Sequence, residues 1–329
     1  MTFSAHRLSV APMMDWTDKH FRYFIRRFSR RIQLYSEMIT AQAVVFGDAE
    51  KLLAYNAEEH PIVLQLGGAD PELLAKACQI AKSFSYDEIN LNAGCPSERV
   101  ASGCFGALLR KDPQLISDCL KAMKENSDVS VTLKTRIALE EDTKDSDGYD
   151  NLCQCAELAE KAGCKTFIIH ARKARLKGFT PKQNRERLPL NYDLVYRFKK
   201  DFPRFTVSIN GNITSLNQAK EHLEFVDGVM IGRAMYADPY LSALIDQEIF
   251  EENTPVVSRI EAVEKMLPYM EKEMENGVRP HLILRHWLGL FKGLPGAALW
   301  RRTLTETMFS ENCHFKTVAK ALNNVISSF

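Results

Sequence analysis

The sequence predicts a (β/α)8 barrel followed by an all-helical C-terminal domain. Three observations carry that expectation. Eight short apolar runs recur between Leu8 and Ile231, most of them followed by a helical pattern. Several runs are rich in Val and Ile, as parallel strands covered on both faces should be. The alternation occupies about 240 residues, the size of such a barrel. A doubly wound open sheet is the runner-up, but no G-x-G-x-x-G follows any of the runs.

In order, the strand candidates are Leu8–Met14, Ile32–Ile39, Pro61–Leu66, Tyr86–Leu91, Val129–Lys134, Thr166–His170, Phe205–Asn210 and Asp227–Ile231. Between them, Asp70-Pro71 and Asp112-Pro113 each pair a capping carboxylate with a proline at the first helical position. A helical run Tyr149–Ala162 stops at Gly163, and Thr214 is placed to cap a helix running to Leu223. Beyond Pro239 no strand-like run appears. The stretch Glu251–Asn276 is acidic, with Gly277 to end it, and a basic, aromatic stretch follows from Arg279 to Arg302. The expected division is residues 1–240 for the barrel and 241–329 for the helical domain.

Composition narrows the function classes. The 329 residues are 45% hydrophobic and 26% charged, which is ordinary for a globular protein. Basic and acidic residues number 43 and 42, so a nucleic-acid partner would have to bind a local patch rather than a uniformly basic surface. The eight cysteines show no C-x-x-C and no zinc-like spacing, so no metal site is expected. They read as free thiols of a reducing, cytoplasmic compartment. No signal peptide and no 18-residue apolar span are visible.

In a barrel, chemistry sits at the carboxyl ends of the strands. Those ends here carry Pro12, Met13 and Met14; Glu37; Gln65; Asn90, Asn92 and the Gly94-Cys95-Pro96 turn; Lys134 and Arg136; His170; Asn210-Gly211-Asn212; and Gly232-Arg233. Any one of these can be structural, but polar residues at the same end of all eight strands point to a pocket. The glycines after strands 7 and 8 let backbone N–H groups approach a phosphate, and Arg233 adds a guanidinium fork. Lys134 and Gln65, expected across the rim from each other, can bond the carbonyls and N1 of a flavin ring. Pro12, Met13 and Met14 are apolar enough to pack on its plane, although methionines fill cores equally well.

Cys95 is the sharpest candidate, a loop thiol at the active rim suited to a nucleophile or a general acid. Cys104, nine residues on, is the weaker alternative. After His170, residues 172–187 hold seven basic side chains and one acid. A charge run is usually a solvated face. On the active rim of a nearly neutral chain, this one favours a polyanion.

Taken together, Ala11-Pro12-Met13-Met14-Asp15, Glu88-Ile89-Asn90-Leu91-Asn92-Ala93-Gly94-Cys95-Pro96-Ser97, Lys134-Thr135-Arg136, His170-Ala171-Arg172, Asn210-Gly211 and Gly232-Arg233 resemble the tRNA-dihydrouridine synthases. The loop 177–185 resembles their bacterial A subfamily, which modifies uridines 20 and 20a of the tRNA D-loop. The resemblance implies an FMN-containing TIM barrel that reduces the uracil 5,6 double bond and reloads its flavin with NADPH. It implies Cys95 as the proton donor. It implies FMN contacts from Pro12, Met13, Met14, Gln65, Lys134, His170, Asn210, Gly211, Asn212, Gly232 and Arg233. For tRNA it implies contacts from Asn92, Lys182, Arg185 and Arg301. The strand 7 turn departs from the family in reading Asn-Gly-Asn rather than Asn-Gly-Gly, and Ala298 stands near a position that is often basic.

Two other classes remain open at this point. A flavoenzyme acting on a free pyrimidine would share the barrel and the flavin logic, but it would have no use for the basic run. A non-catalytic RNA-binding barrel would purify without a flavin absorption band.

Overall fold

The computed structural model describes residues 4–97, 103, 105–141, 147–310 and 314–326. Eight parallel strands form one sheet: β1 Leu8–Val10, β2 Leu34–Thr40, β3 Ile62–Gly67, β4 Glu88–Ala93, β5 Ser130–Arg136, β6 Thr166–His170, β7 Thr206–Asn210 and β8 Gly228–Ile231. Their order is β1-β8-β7-β6-β5-β4-β3-β2. A parallel bridge between Ser9 and Gln33 joins β1 to β2 and closes the barrel. The expected fold class is the observed one.

The strands follow the period-two rule. On β4, Ile89, Leu91 and Ala93 enter the core between strands and helices, while Glu88, Asn90 and Asn92 alternate with them. On β5, Val131 and Leu133 do the same. The helices start where their caps dictate. The Asp70 carboxylate accepts from the N–H groups of Glu72 and Leu73, and the Asp112 carboxylate from that of Leu115. The helix Tyr149–Lys161 ends before Gly163, whose φ of 89° suits glycine.

Several expected boundaries shift. The helix Leu216–Leu223 is capped by Ser215, whose hydroxyl accepts from Gln218 N–H; Thr214 instead donates to the Gln218 side chain. Both residues are acceptable caps by type, and geometry chose the later one. The acidic stretch becomes helical only at Arg259–Glu275, because Ser258 supplies the cap and Pro255 precedes it. The first strand also ends at Val10, and Met13 and Met14 fall in the turn beyond it.

A second core lies outside the barrel. Ala262, Met266, Met270, Trp287, Trp300, Leu304 and Leu322 form it together with Phe24 and Phe28 of α1, Lys19–Ile25, and the turn after it. The helical spacing splits α1 in two: Phe21 and Ile25 face the barrel, and Phe24 faces the helical region. Ile245, Ile249 and Phe250 pack in the barrel core. Among the described residues no helix is long and apolar enough to cross a membrane, and no group of three metal-ligating side chains occurs.

A polar tie joins the two cores. Asp18 caps α1 through His20 and Phe21 N–H and also accepts from Arg285 Nη2 and His286 Nε2. Burial is the largest single influence and works against its charge, but the His286 hydrogen bond and charge, the Phe21 N–H and His20 together outweigh it and hold the carboxyl well below its usual range. Burial also lowers His20 to about 4 and depresses His286. All three groups are therefore protonated more readily in the unfolded chain. Stability is fully present above about pH 6.5 and is lost first through the histidines as pH falls. His6, raised by Glu88 against the effect of burial, works in the opposite direction. Tm is expected to drop between pH 7 and 5, with His20 alone worth on the order of 2 kcal/mol by pH 5. Thermal unfolding of a His20→Asn variant, flatter over that interval, checks the assignment.

Candidate active site

The site is built from the residues that end each strand. They line a cavity of about 560 Å³ at the carboxyl mouth of the barrel, within the ~300–1,000 Å³ typical of small-molecule sites. Pro12, Met13, Met14 and Trp16 come from the turn after β1, and Trp16 is stacked on Tyr236 at 4.4 Å between ring centroids. Met14 is exposed.

Cys95 opens into this cavity from the loop after β4. Its turn is held from several sides. Asn92 Oδ1 accepts from the N–H groups of Gly94 (3.0 Å) and Cys95 (3.1 Å). Arg136 Nε donates to Gly94 O at 2.9 Å, and Ala107 N–H donates to Cys95 O. Gly94 lets the turn lie against β5, since a Cβ there would come within 3.3 Å of the Thr135 backbone. Among the described residues the thiol hydrogen-bonds the Ser97 hydroxyl, at 3.5 Å. Cys104, the alternative thiol, lies outside the described residues.

Gln65 and Lys134 do not face each other across the rim. They stand on β3 and β5, either side of β4, with Asn92 between them: Asn92 Nδ2 donates to Gln65 Oε1 at 2.9 Å and is in register with Lys134. Lys134 Nζ donates to Asn210 Oδ1 at 3.1 Å, and Asn210 Nδ2 to Met230 O. At 8% exposure, Asn92 is a wall residue of the cavity.

The cavity is electropositive. Lys134, Arg136, Arg185 and Arg233 line it, and among its described lining residues there is no carboxylate. Burial draws Lys134 down to about 7, with Arg136 adding to the effect, and lowers Arg136 itself to about 10. His170 is pushed well below its ordinary value by burial and then by the neighbouring cations. Nδ1 of His170 and Nε of Arg185, both lining residues, are buried with no hydrogen-bond partner among the described residues. Buried polar atoms left in this state, the Arg185 Nε–H donor among them, fit a ligand that brings hydrogen-bonding partners. An anion with several carbonyl oxygens, such as a flavin mononucleotide, meets that need.

The turn after β7 adds backbone donors. Gly211 has φ 136°, and a Cβ there would meet Leu190 at 2.9 Å. Asn212 follows in the left-handed region at φ 54°, which asparagine tolerates better than most residues, so the Asn-Gly-Asn turn forms without the second glycine. Gly232 and Arg233 lie beside it, and Arg233 Nη1 is paired with Glu186 at 2.8 Å.

The basic run divides. Arg172 is buried and donates to Leu188 O, while Arg185 reaches the cavity from the short helix Pro181–Glu186. Lys182 and, on the helix Ala297–Met308, Arg301 are exposed to solvent outside the cavity. Trp16, Arg172 and Glu186 were not among the expected site residues, and Arg136, expected at the rim, had been given no ligand role. Arg136 was legible as the i+2 neighbour of Lys134 on the same face of a strand. The Trp16–Tyr236 stack and the Glu186 pair carry no sequence signal.

Closed parallel barrel, cationic mouth and a loop thiol at the carboxyl rim define a TIM-barrel protein with an electropositive pocket at that rim. The chain belongs to the dihydrouridine synthase family, whose family model matches residues 9–326. It is 50% identical over 326 residues to the tRNA-dihydrouridine(20/20a) synthase of Vibrio parahaemolyticus, covering 99% of this chain and 98% of that one. Proteins of the same name from Synechocystis sp. (50% over 304 residues, 92% and 90% covered) and Escherichia coli O6:H1 (48% over 324 residues, 98% and 96%) are similarly close.

Proposed function

We propose that this protein reduces the C5=C6 bond of uridines 20 and 20a in the tRNA D-loop to 5,6-dihydrouridine in the cytoplasm, with FMN as bound cofactor and NADPH as reductant. Residues 1–240 serve as the catalytic domain and 241–329 as a tRNA-binding domain. The observation that carries this reading is the Cys95 thiol opening into the same cavity as Gln65, Lys134 and His170, with no carboxylate among its described lining residues.

Bound FMN supplies the hydride that adds at uracil C6. Conjugation through C4=O spreads the resulting negative charge towards C5 and O4, so C5 needs a proton and the carbonyl needs a donor. Cys95 supplies the proton as a general acid. Gln65 and Asn92 each keep one amide hydrogen beyond those already donated inside the wall, available to ring carbonyls. Lys134 and His170 hold the polar edge of the flavin. Gly211, Asn212, Gly232 and Arg233 receive its phosphate, and Pro12, Met13, Met14 and Asn210 complete its seat. Asn92, Lys182, Arg185 and Arg301 meet the RNA.

The target uridine has to leave the folded tRNA to reach this cavity, at a cost of a few kcal/mol. Binding of RNA phosphates by exposed cations offsets that cost. Replacing Lys182 and Arg301 by alanine is expected to weaken tRNA binding and to flatten the plot of log K against log salt by about 0.7–0.9 for each phosphate no longer neutralised. Filter binding between 50 and 200 mM salt reads this directly.

The reading is tested by incubating the purified protein with NADPH and unmodified tRNA and mapping dihydrouridine. Product at positions 20 and 20a is expected, with none from free uridine. A protein without a flavin band, or one that reduces free uridine as readily, overturns it.

A further inference from the structure

Five buried side chains form a continuous hydrogen-bond chain through the barrel interior, and the reaction described above uses only the two nearest the mouth. Thr132 Oγ1 donates to Glu88 Oε1 at 2.7 Å. Asn90 Nδ2 donates to Thr132 Oγ1 at 2.9 Å, and Gln65 Nε2 to Asn90 Oδ1 at 2.8 Å. Asn92 Nδ2 donates to Gln65 Oε1, and Asn92 Oδ1 receives the N–H groups of Gly94 and Cys95. Glu88, Thr132, Asn90 and Gln65 are each 3% exposed or less. At the far end, His6 Nε2 lies 3.1 Å from Glu88 Oε2, and the Tyr35 hydroxyl lies 3.5 Å from Oε1.

Every link in this chain donates towards Glu88. A carboxamide is nearly symmetrical in shape, so an isolated Asn or Gln fits its site in either of two flips. A carboxylate only accepts. With Glu88 at one end, Thr132 has to donate to it and is left to accept from Asn90. Asn90 then turns its oxygen to Gln65, Gln65 its oxygen to Asn92, and Asn92 its oxygen to the Cys95 turn. Reversed, the Asn92 amino group would face two backbone donors. Barrel interiors are commonly filled with apolar residues, as Val63, Ile168 and Met230 fill the neighbouring part of this one. A continuous polar chain in the same space, anchored at both ends, rigidifies what it touches.

We propose that Glu88, Thr132 and Asn90 are positioning residues for the reaction: the Glu88 carboxylate sets the direction of a relay that aims Asn92 Oδ1 at the Cys95 turn and so holds the thiol at its working position. The relay rests on Cys95 as proton donor, and its test includes a readout that does not.

Thr132→Val keeps the shape and removes the hydroxyl, leaving Glu88 without that donor and Asn90 without that acceptor. Two quantities are read in the flavin-loaded protein: the rate of Cys95 alkylation by iodoacetamide, from peptide masses, and kcat on unmodified tRNA per bound flavin. Normalising to flavin removes simple loss of folded protein. The Val variant is expected to change the alkylation rate at least threefold and to lower kcat about tenfold, with KM for tRNA within twofold. Thr132→Ser, which restores the hydroxyl, should bring both back to within twofold of the parent. If the Val variant does not fold, Glu88→Gln, which can donate to Thr132 and unset the direction, is expected to show the same pair of changes. Unchanged alkylation, or a Ser variant as impaired as Val, overturns the relay. Altered alkylation with unchanged kcat overturns the link from thiol position to rate, and Cys95→Ala then tells whether the proton-donor reading has failed with it.

Discussion

Cys95→Ala is expected to yield a yellow, tRNA-binding protein that forms dihydrouridine at least a hundredfold more slowly. General acid catalysis by a positioned side chain is worth about 10²–10⁴-fold. Little else should change, because among the described residues the Cys95 thiol makes one long hydrogen bond, to Ser97, while its turn is held through backbone atoms by Asn92, Arg136 and Ala107. Flavin content and tRNA affinity should therefore stay within a factor of two. Single-turnover reaction of the reduced, tRNA-bound protein isolates the step. Full activity in the variant removes Cys95 from the proton-donor role and turns attention to Cys104.

Flavin binding is expected to weaken as pH rises above 7, by up to tenfold per pH unit, with Lys134 as the cause. Burial draws this ammonium down to about 7 in the free protein, and Arg136 pushes it the same way. Above pH 7 much of the free site is therefore neutral at Lys134. An anionic ligand favours the charged form and raises that pKa, so binding takes up a proton, and affinity falls as protons become scarce. The ligand phosphate, with its second pKa near 6, is already dianionic over this range and adds no slope. His170 is held well below its ordinary value and stays neutral throughout. Lys134→Met should bind flavin more weakly at pH 7 and with little change between pH 7 and 9. Titration of apo-protein with FMN, followed by quenching of flavin fluorescence, measures both slopes. A parent protein with pH-independent affinity, or a Met variant with the parent slope, contradicts the assignment.

Much of the barrel was legible before its coordinates. A strand covered on both faces has to be a short apolar run, and a rim residue has to follow it, so Gln65, Lys134, His170 and Asn210 could be picked out one strand at a time. The loop thiol at Cys95 stood out because Gly94 and Pro96 mark a turn. Cap choice was less legible: Thr214 and Ser215 are equivalent by type, and only the approach of the backbone separated them. The same holds for the acidic stretch after Glu251, where charge composition reads as helix but the cap at Ser258 decides where the helix begins.

Alternation along each strand, caps and glycine turns are local properties, and from them the sequence by itself determined the barrel, its polar rim and the thiol upon it. Which side chains meet was decided only by tertiary structure. The Arg233–Glu186 pair, the Trp16–Tyr236 stack and the Asp18–Arg285 tie join residues 47, 220 and 267 positions apart. The one-way chain from Asn92 to Glu88 likewise has a direction that no single residue type specifies. Hydrogen-bond direction and charge pairing depend on what lies opposite in space, and closing the barrel is what brings those opposites together.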